Sequence, residues 1–142
     1  MLHGWEKYYT TIDYPLNANS PLYVCIGISW NSGTVYFDDV QLEEGIVANP
    51  YNFIENSSFY SGMASWSRNY LCDPAYDNVF SYLGSSHTLQ LKGEANKHKY
   101  MVQTVNTSGS TGDVYNLSAW VYSIGVPNSG EKRCIHDSKY SW

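Results

Sequence analysis

Rings and carboxylates carry most of the chemical potential in this sequence. In the segment Val114–Tyr122, Tyr115, Leu117, Ala119 and Val121 fall on one parity, and Asn116, Ser118, Trp120 and Tyr122 on the other. An extended chain sends successive side chains to opposite faces, so the first set predicts a core face and the second an outward one. Two rings beside an amide and a hydroxyl suit a pyranose, whose C–H face stacks on indole or phenol while the amide bonds its hydroxyls. Trp66 and Tyr70 lie in an aperiodic stretch that is placed to rim the same surface. The competing reading makes the Trp120 parity the core, or gives Trp120 the duty of covering the edge of an opposite sheet. Spacing alone does not separate the two.

The carboxylates are less suggestive. Asp38, Asp39, Glu43 and Glu44 lie along one segment and its exit. Glycoside hydrolysis needs two carboxyl groups facing each other across a cleft, whereas adjacent residues of a strand point to opposite faces. The histidines, His3, His87, His98 and His136, are scattered, and neither Gly-x-Ser-x-Gly nor His-Glu-x-x-His occurs. No catalytic function is expected on these grounds. Cys25, Cys72 and Cys134 show no close-paired spacing and are odd in number, which predicts neither a disulfide scaffold nor a zinc pattern. Cys25 sits in an apolar segment, where a thiol serves as a small hydrophobe.

The elements that would position these groups are short strands. Charged residues make up 15% of the 142 residues, against about 25% in ordinary soluble domains. Fourteen tyrosines, five tryptophans and many hydroxyl and amide side chains stand in their place. That composition favours strands and polar turns over long helices. Leu22–Trp30 is the clearest strand, with Leu22, Val24, Ile26, Ile28 and Trp30 on one face. Asn31-Ser32-Gly33 predicts a turn, and Thr34–Leu42 a partner strand. Val35 and Phe37 share one parity, Val40 and Leu42 the other, which predicts a bulge at the Asp pair. Asn52–Phe59 reads as a short strand and turn, and residues 62–86 mostly as loop. Strands resume over Thr88–Lys92, Tyr100–Val105 and Val114–Tyr122, with a turn at Gly109–Asp113; residues 131–142 have no assignable pattern. Alternating strands with turns between them predict an antiparallel sandwich.

The net charge of −5 and the absence of a basic stripe argue against nucleic acid as a partner. No apolar run approaches the roughly 18 residues of a membrane span, so no membrane insertion is expected.

Two stretches resemble a known family. Gly33-Thr34-Val35-Tyr36-Phe37-Asp38-Asp39-Val40-Gln41-Leu42-Glu43-Glu44-Gly45 resembles the closing strand of carbohydrate-binding modules with the galactose-binding-like jelly-roll fold. Asn52-Phe53-Ile54-Glu55-Asn56-Ser57-Ser58-Phe59, followed by Trp66, resembles the opening strand of that class. Leu89–Gly93, Val102–Val105 and Tyr115–Val121 look like its middle strands. A closing strand, Asn49-Pro50, then a new opening strand resembles tandem modules of RHS (YD-repeat) wall-associated proteins of Gram-positive bacteria.

The resemblance implies an all-β, antiparallel jelly-roll β-sandwich, permuted or incomplete. Residues 1–46 would be the C-terminal part of a module, 47–51 a linker, and 52–142 the N-terminal part of a module sharing one core with 1–46. The family strand between the Trp120 segment and Trp5 looks missing or degraded. The implied function is a non-catalytic module binding polysaccharide or cell-wall glycan through Trp120, Tyr122, Asn116, Trp66 and Tyr70. A ligand-free spacer is the alternative. Its partners would be that glycan and neighbouring modules of a larger surface protein, and its location extracellular or at the cell surface, with any signal outside this chain. The family also implies a structural calcium, here at Asp39 (or Asp38) and Glu55. The glutamate it usually carries after the opening-motif Phe is replaced by Tyr60, so that ligand set is short of one carboxylate. No other cofactor is expected.

Overall fold

The computed structural model describes residues 4–13, 22–30, 32–45, 52–69, 71–82, 85–106, 114–126 and 133–137. Every described element is a strand: β1 (Glu6–Asp13), β2 (Leu22–Ser29), β3 (Gly33–Glu44), β4 (Ser67–Arg68), β5 (Asn78–Tyr82), β6 (Ser85–Gly93), β7 (His98–Val105), β8 (Val114–Ile124) and β9 (Arg133–Asp137). They form a five-stranded sheet, β1-β8-β3-β6-β5, and a four-stranded sheet, β4-β7-β2-β9, with antiparallel pairs throughout. The chain is an all-β sandwich.

Alternation builds the core. Leu22, Val24, Ile26 and Ile28 of β2 are buried with Val35, Phe37, Val40 and Leu42 of β3, and with Leu117, Ala119 and Val121 of β8. Strands from residues 6–44 and from residues 67–137 are interleaved in both sheets and line one apolar interior. Tyr36–Leu42 also lies beside residues 52–59: the Phe53 N–H donates to the Leu42 carbonyl (2.9 Å), and the Val40 N–H to the Ser57 carbonyl (3.1 Å).

Several expected elements differ. β2 and β3 are not hairpin partners: β2 pairs with β7 and β9, while β3 pairs with β6 and β8. The chain between them crosses from one sheet to the other. Each strand has an apolar face, and opposing those faces across the interior buries both. Alternation alone does not distinguish this crossing from a hairpin. The predicted bulge is present, since the β3–β8 register shifts between Asp38 and Gln41, with Asp39 at φ 47°.

Asn52–Phe59 is not a strand. Its Asn52 Oδ1 accepts from the Leu42 and Ile54 N–H groups (3.0 Å each), and Nδ2 donates to the Val40 carbonyl (3.1 Å). A side chain thus occupies positions a neighbouring strand would otherwise take. The stretch 62–86, expected as loop, contains β4 and β5, and the unassigned tail contains β9 on the outer side of β2.

Gly33 opens β3 at φ +109°. A Cβ there would lie 2.7 Å from the Gly125 carbonyl oxygen, a backbone atom with no rotamer to yield. Gly33→Ala should therefore lower stability by more than about 1 kcal/mol, read as a lower urea midpoint with unchanged slope.

Candidate functional site

The outer face of the five-stranded sheet carries the predicted ring surface. Leu117, Ala119 and Val121 are buried, so Trp120 and Tyr122 stand on the opposite side, both half-buried. Trp120 is paired in register with Lys7 of β1 and Asp38 of β3. The Lys7 ammonium lies 5.9 Å from the Trp120 ring centroid and 5.4 Å from that of Tyr9, within range of a cation–π attraction. Tyr122 is packed between Trp5 (centroids 5.9 Å apart) and Tyr36 (6.4 Å). Asn116 is half-buried and pairs in register with Thr11 and Glu43.

Trp66 does not join this face. It is 6% exposed, its ring centroid is 5.6 Å from that of Phe59, and its Nε1–H donates to the Asn56 carbonyl (3.2 Å). The cause is the fold-back of residues 52–66. Asn56 binds the carbonyls of Gly62 and Ala64 through Nδ2 (2.9 and 2.8 Å) and the Ser61 N–H through Oδ1 (3.0 Å), and this closure turns the indole inward. Tyr70 lies outside the described residues. The neighbours Lys7, Tyr9 and Tyr36, which complete the outer face, had no signal in the sequence beyond their alternation.

The carboxylates assigned to calcium are engaged locally. Asp39 Oδ1 accepts from the Ser58 hydroxyl (2.7 Å), Glu55 Oε2 from the Ser65 hydroxyl (3.0 Å), and Asp38 Oδ1 from the Asp39 N–H (2.8 Å). Gln103 bridges the Glu55 backbone in both directions, accepting from its N–H (2.8 Å) and donating to its carbonyl (2.9 Å). Among the described residues, no three of His, Cys, Asp and Glu converge as a metal cage. Asp39 and Glu55 brace the 52–66 loop, while Asp38 bonds the neighbouring amide within β3.

One cluster escaped sequence reasoning altogether. Lys99 of β7 sits on the core parity, and its side chain is 2% exposed. Its three ammonium protons meet three acceptors: Asp77 Oδ2 (2.9 Å), the Lys92 carbonyl (2.8 Å) and Glu94 Oε2 (2.8 Å). Burial disfavours the Lys99 charge, but the hydrogen bonds from Glu94 and Asp77 outweigh it and hold the ammonium above the ordinary lysine value. The bonds from Lys99, then Lys97, hold the Glu94 carboxyl below the usual carboxylate range. Asp77 also accepts from the Asp73 and Lys92 N–H groups (2.7 and 2.8 Å), so the cluster ties the 73–77 turn to β6, β7 and the turn between them. Nearby, Cys72 donates to Asn69 Oδ1 (2.9 Å), and burial, followed by the Asp77 charge, pushes its thiol up to about 11.

Comparison with known proteins gives partial matches. A tRNA(Glu)-specific nuclease WapA of Bacillus subtilis subsp. natto (strain BEST195) is 37% identical over 69 residues, 46% of this chain and 3% of the relative. A tRNA nuclease WapA of Bacillus subtilis (strain 168) is 36% identical over 69 residues, with the same coverage. The chain thus spans about 3% of the length of these relatives. No family model matches, and no solved structure matches. These relatives are named as nucleases, and that overturns two expectations, the polysaccharide-binding function and the non-catalytic nature of the chain. The placement of Trp66 in the core removes part of the surface on which the first rested.

Two measurements check the electrostatics. Lys99→Met leaves Asp77 buried without its cation and should cost about 3–5 kcal/mol in urea unfolding. A raised lysine value stabilises below the unfolded value of about 10.4, and that contribution is lost as pH rises through the folded one, so Lys99→Met should lack it. For Cys72, alkylation should be slow at neutral pH and accelerate about tenfold per pH unit until the thiol ionises near 11. A plateau below pH 9 would contradict the partly buried placement beside Asp77.

Proposed function

We propose that this chain is a β-sandwich segment of a tRNA-cleaving nuclease. The observation that carries the reading is the 37% identity over 69 residues to a tRNA(Glu)-specific nuclease, together with a second match of the same extent. Since the chain corresponds to so small a share of those relatives, the reading assigns cleavage to the polypeptide that contains it, and to the chain a folded part of that polypeptide.

The architecture supports a role that needs a rigid body. Two sheets share one interior, and the long 52–66 loop is fixed to β3 and β7 by the Asn52 and Gln103 side-chain amides. A five-on-four antiparallel sandwich also suits the galactose-binding-like jelly-roll resemblance, read as a single permuted module. The resemblance to tandem modules of RHS wall-associated proteins supports an extracellular or cell-surface location and neighbouring modules as partners.

The reading is tested with total tRNA and purified, metal-supplemented protein, analysed on denaturing gels. The 142-residue chain and the longer polypeptide that carries it are assayed side by side. Discrete tRNA fragments from the longer polypeptide are expected. Fragments from the short chain as well would locate the scissile chemistry inside the sandwich. Intact tRNA in both reactions, at protein in molar excess over RNA, overturns the proposal.

A further inference from the structure

Lys99 lies on the core parity of β7, a strand bonded on both sides within the four-stranded sheet. Asp77 directly precedes β5, at the edge of the five-stranded sheet. Their side chains meet at 2.9 Å, with 2% and 0% of their surface exposed, so the contact joins one sheet to the other. Glu94 Oε2 brings a second carboxylate to the same ammonium at 2.8 Å, and this one is 45% exposed. An amine, a carboxyl carbon one bond behind the contacted oxygen, and a carboxylate open to solvent are the parts of an amide-forming site.

We propose that Lys99 and Asp77 condense into an intramolecular isopeptide bond, with Glu94 carrying the protons. The ammonium passes one proton to Glu94, and rotation about Cε–Nζ turns the freed lone pair to the Asp77 carboxyl carbon. The Nζ–Cγ bond forms, and the charge that builds on Oδ1 is met by the Lys92 N–H, 2.8 Å away. A second proton then leaves Nζ by way of Glu94. Both protons go to Oδ2, the Cγ–Oδ2 bond breaks, and Oδ2 departs as water. Nothing is oxidised or reduced: an ammonium and a carboxylate become an amide and a water. Packing holds the reacting groups in contact, which replaces the encounter that the same reaction would need in solution.

Burial supplies the driving force. Two ions held away from water carry a desolvation penalty that a neutral amide escapes. The product also keeps two hydrogen bonds already in place. Its N–H donates to the Lys92 carbonyl, to which Nζ donates at 2.8 Å, and its carbonyl Oδ1 accepts from the Lys92 N–H. The new amide is thus buried with partners for both its polar groups. The stability and pH behaviour of the Lys99 cation belong to the chain before condensation. The proposal stands apart from the nuclease reading and survives its failure.

The test is the intact mass of the purified, fully reduced 142-residue chain in denaturant, followed by proteolysis. The chain should be lighter than its sequence by one water, and digestion should yield a branched peptide joining the Asp77 and Lys99 segments. Lys99→Arg, which keeps the cation but not the primary amine, should show the full sequence mass. Glu94→Gln, changed at a half-exposed side chain, should keep the β-type circular dichroism of the parent. Followed from refolding onward, it should lose water more slowly by a factor of about 100 or more. The full sequence mass in the folded parent, or a water lost with no branched peptide, overturns the bond and leaves the ion pair. Water lost as readily from Lys99→Arg overturns it equally, and condensation of Glu94→Gln at the parent rate overturns Glu94 as the proton carrier.

Discussion

Strand β3 is bonded along both edges, to β8 on one side and β6 on the other, and its inward side chains Val35, Phe37, Val40 and Leu42 have no solvent exposure. Both partners lie far downstream in the chain. Closing such long loops costs entropy, which the apolar burial along β3 must outweigh before the sheet can exist. Once that pairing is made, β8 offers its free edge to β1, and β6 offers its own to β5. The four-stranded sheet then has an apolar surface to cover. Polar groups on the core parity are admitted only with partners: Lys99 with its three acceptors and Gln103 with the Glu55 backbone. Each is needed because a buried donor without an acceptor is expensive.

How much of this was legible in the sequence varied with the strength of alternation. β2, β3, β6, β7 and β8 alternate clearly and were readable, as was the bulge at the Asp pair. β1 was not, because Glu6, Tyr8, Thr10 and Ile12 present one apolar aliphatic residue among four. β4 and β5 are short and sit among turns, and β9 mixes charge and apolar residues. Asn52–Phe59 misled in the opposite direction, since its apolar residues pack inward as a loop does when an Asn side chain replaces the ladder. The ring surface was half readable. Parity placed Trp120 and Tyr122 outward, but nothing local revealed that Asn56 would pull Trp66 into the core. The pairings of β3 and the crossing between sheets depend on distant segments, which spacing does not encode.

Function was less legible than fold, and for a physical reason. A sheet face with rings, amides and a lysine can meet a sugar, a base or another protein surface, since each offers a flat face and polar edges. Here the relatives are named as tRNA nucleases, and that overturns the glycan expectation. Five polar side chains are committed to internal bracing: Asp39, Glu55, Asn52, Asn56 and Gln103 all fix the 52–66 segment. Their types alone had suggested a ligand; their partners assign them to the loop.

The irregularity in β3 has an arithmetic of its own. Between the Asp38–Trp120 and Gln41–Ser118 pairs, β3 spends two residues, Asp39 and Val40, against the single Ala119 of β8. Omitting Asp39 would leave an unbroken ladder in which Val35, Phe37, Val40 and Leu42 all kept their side. The sheet has no use for the surplus residue. Its beneficiary is the loop overhead, which gains a carboxylate for the Ser58 hydroxyl and a kinked backbone whose Val40 amide reaches Ser57. A defect tolerated in one layer thus acts as the latch that fastens a surface segment to it.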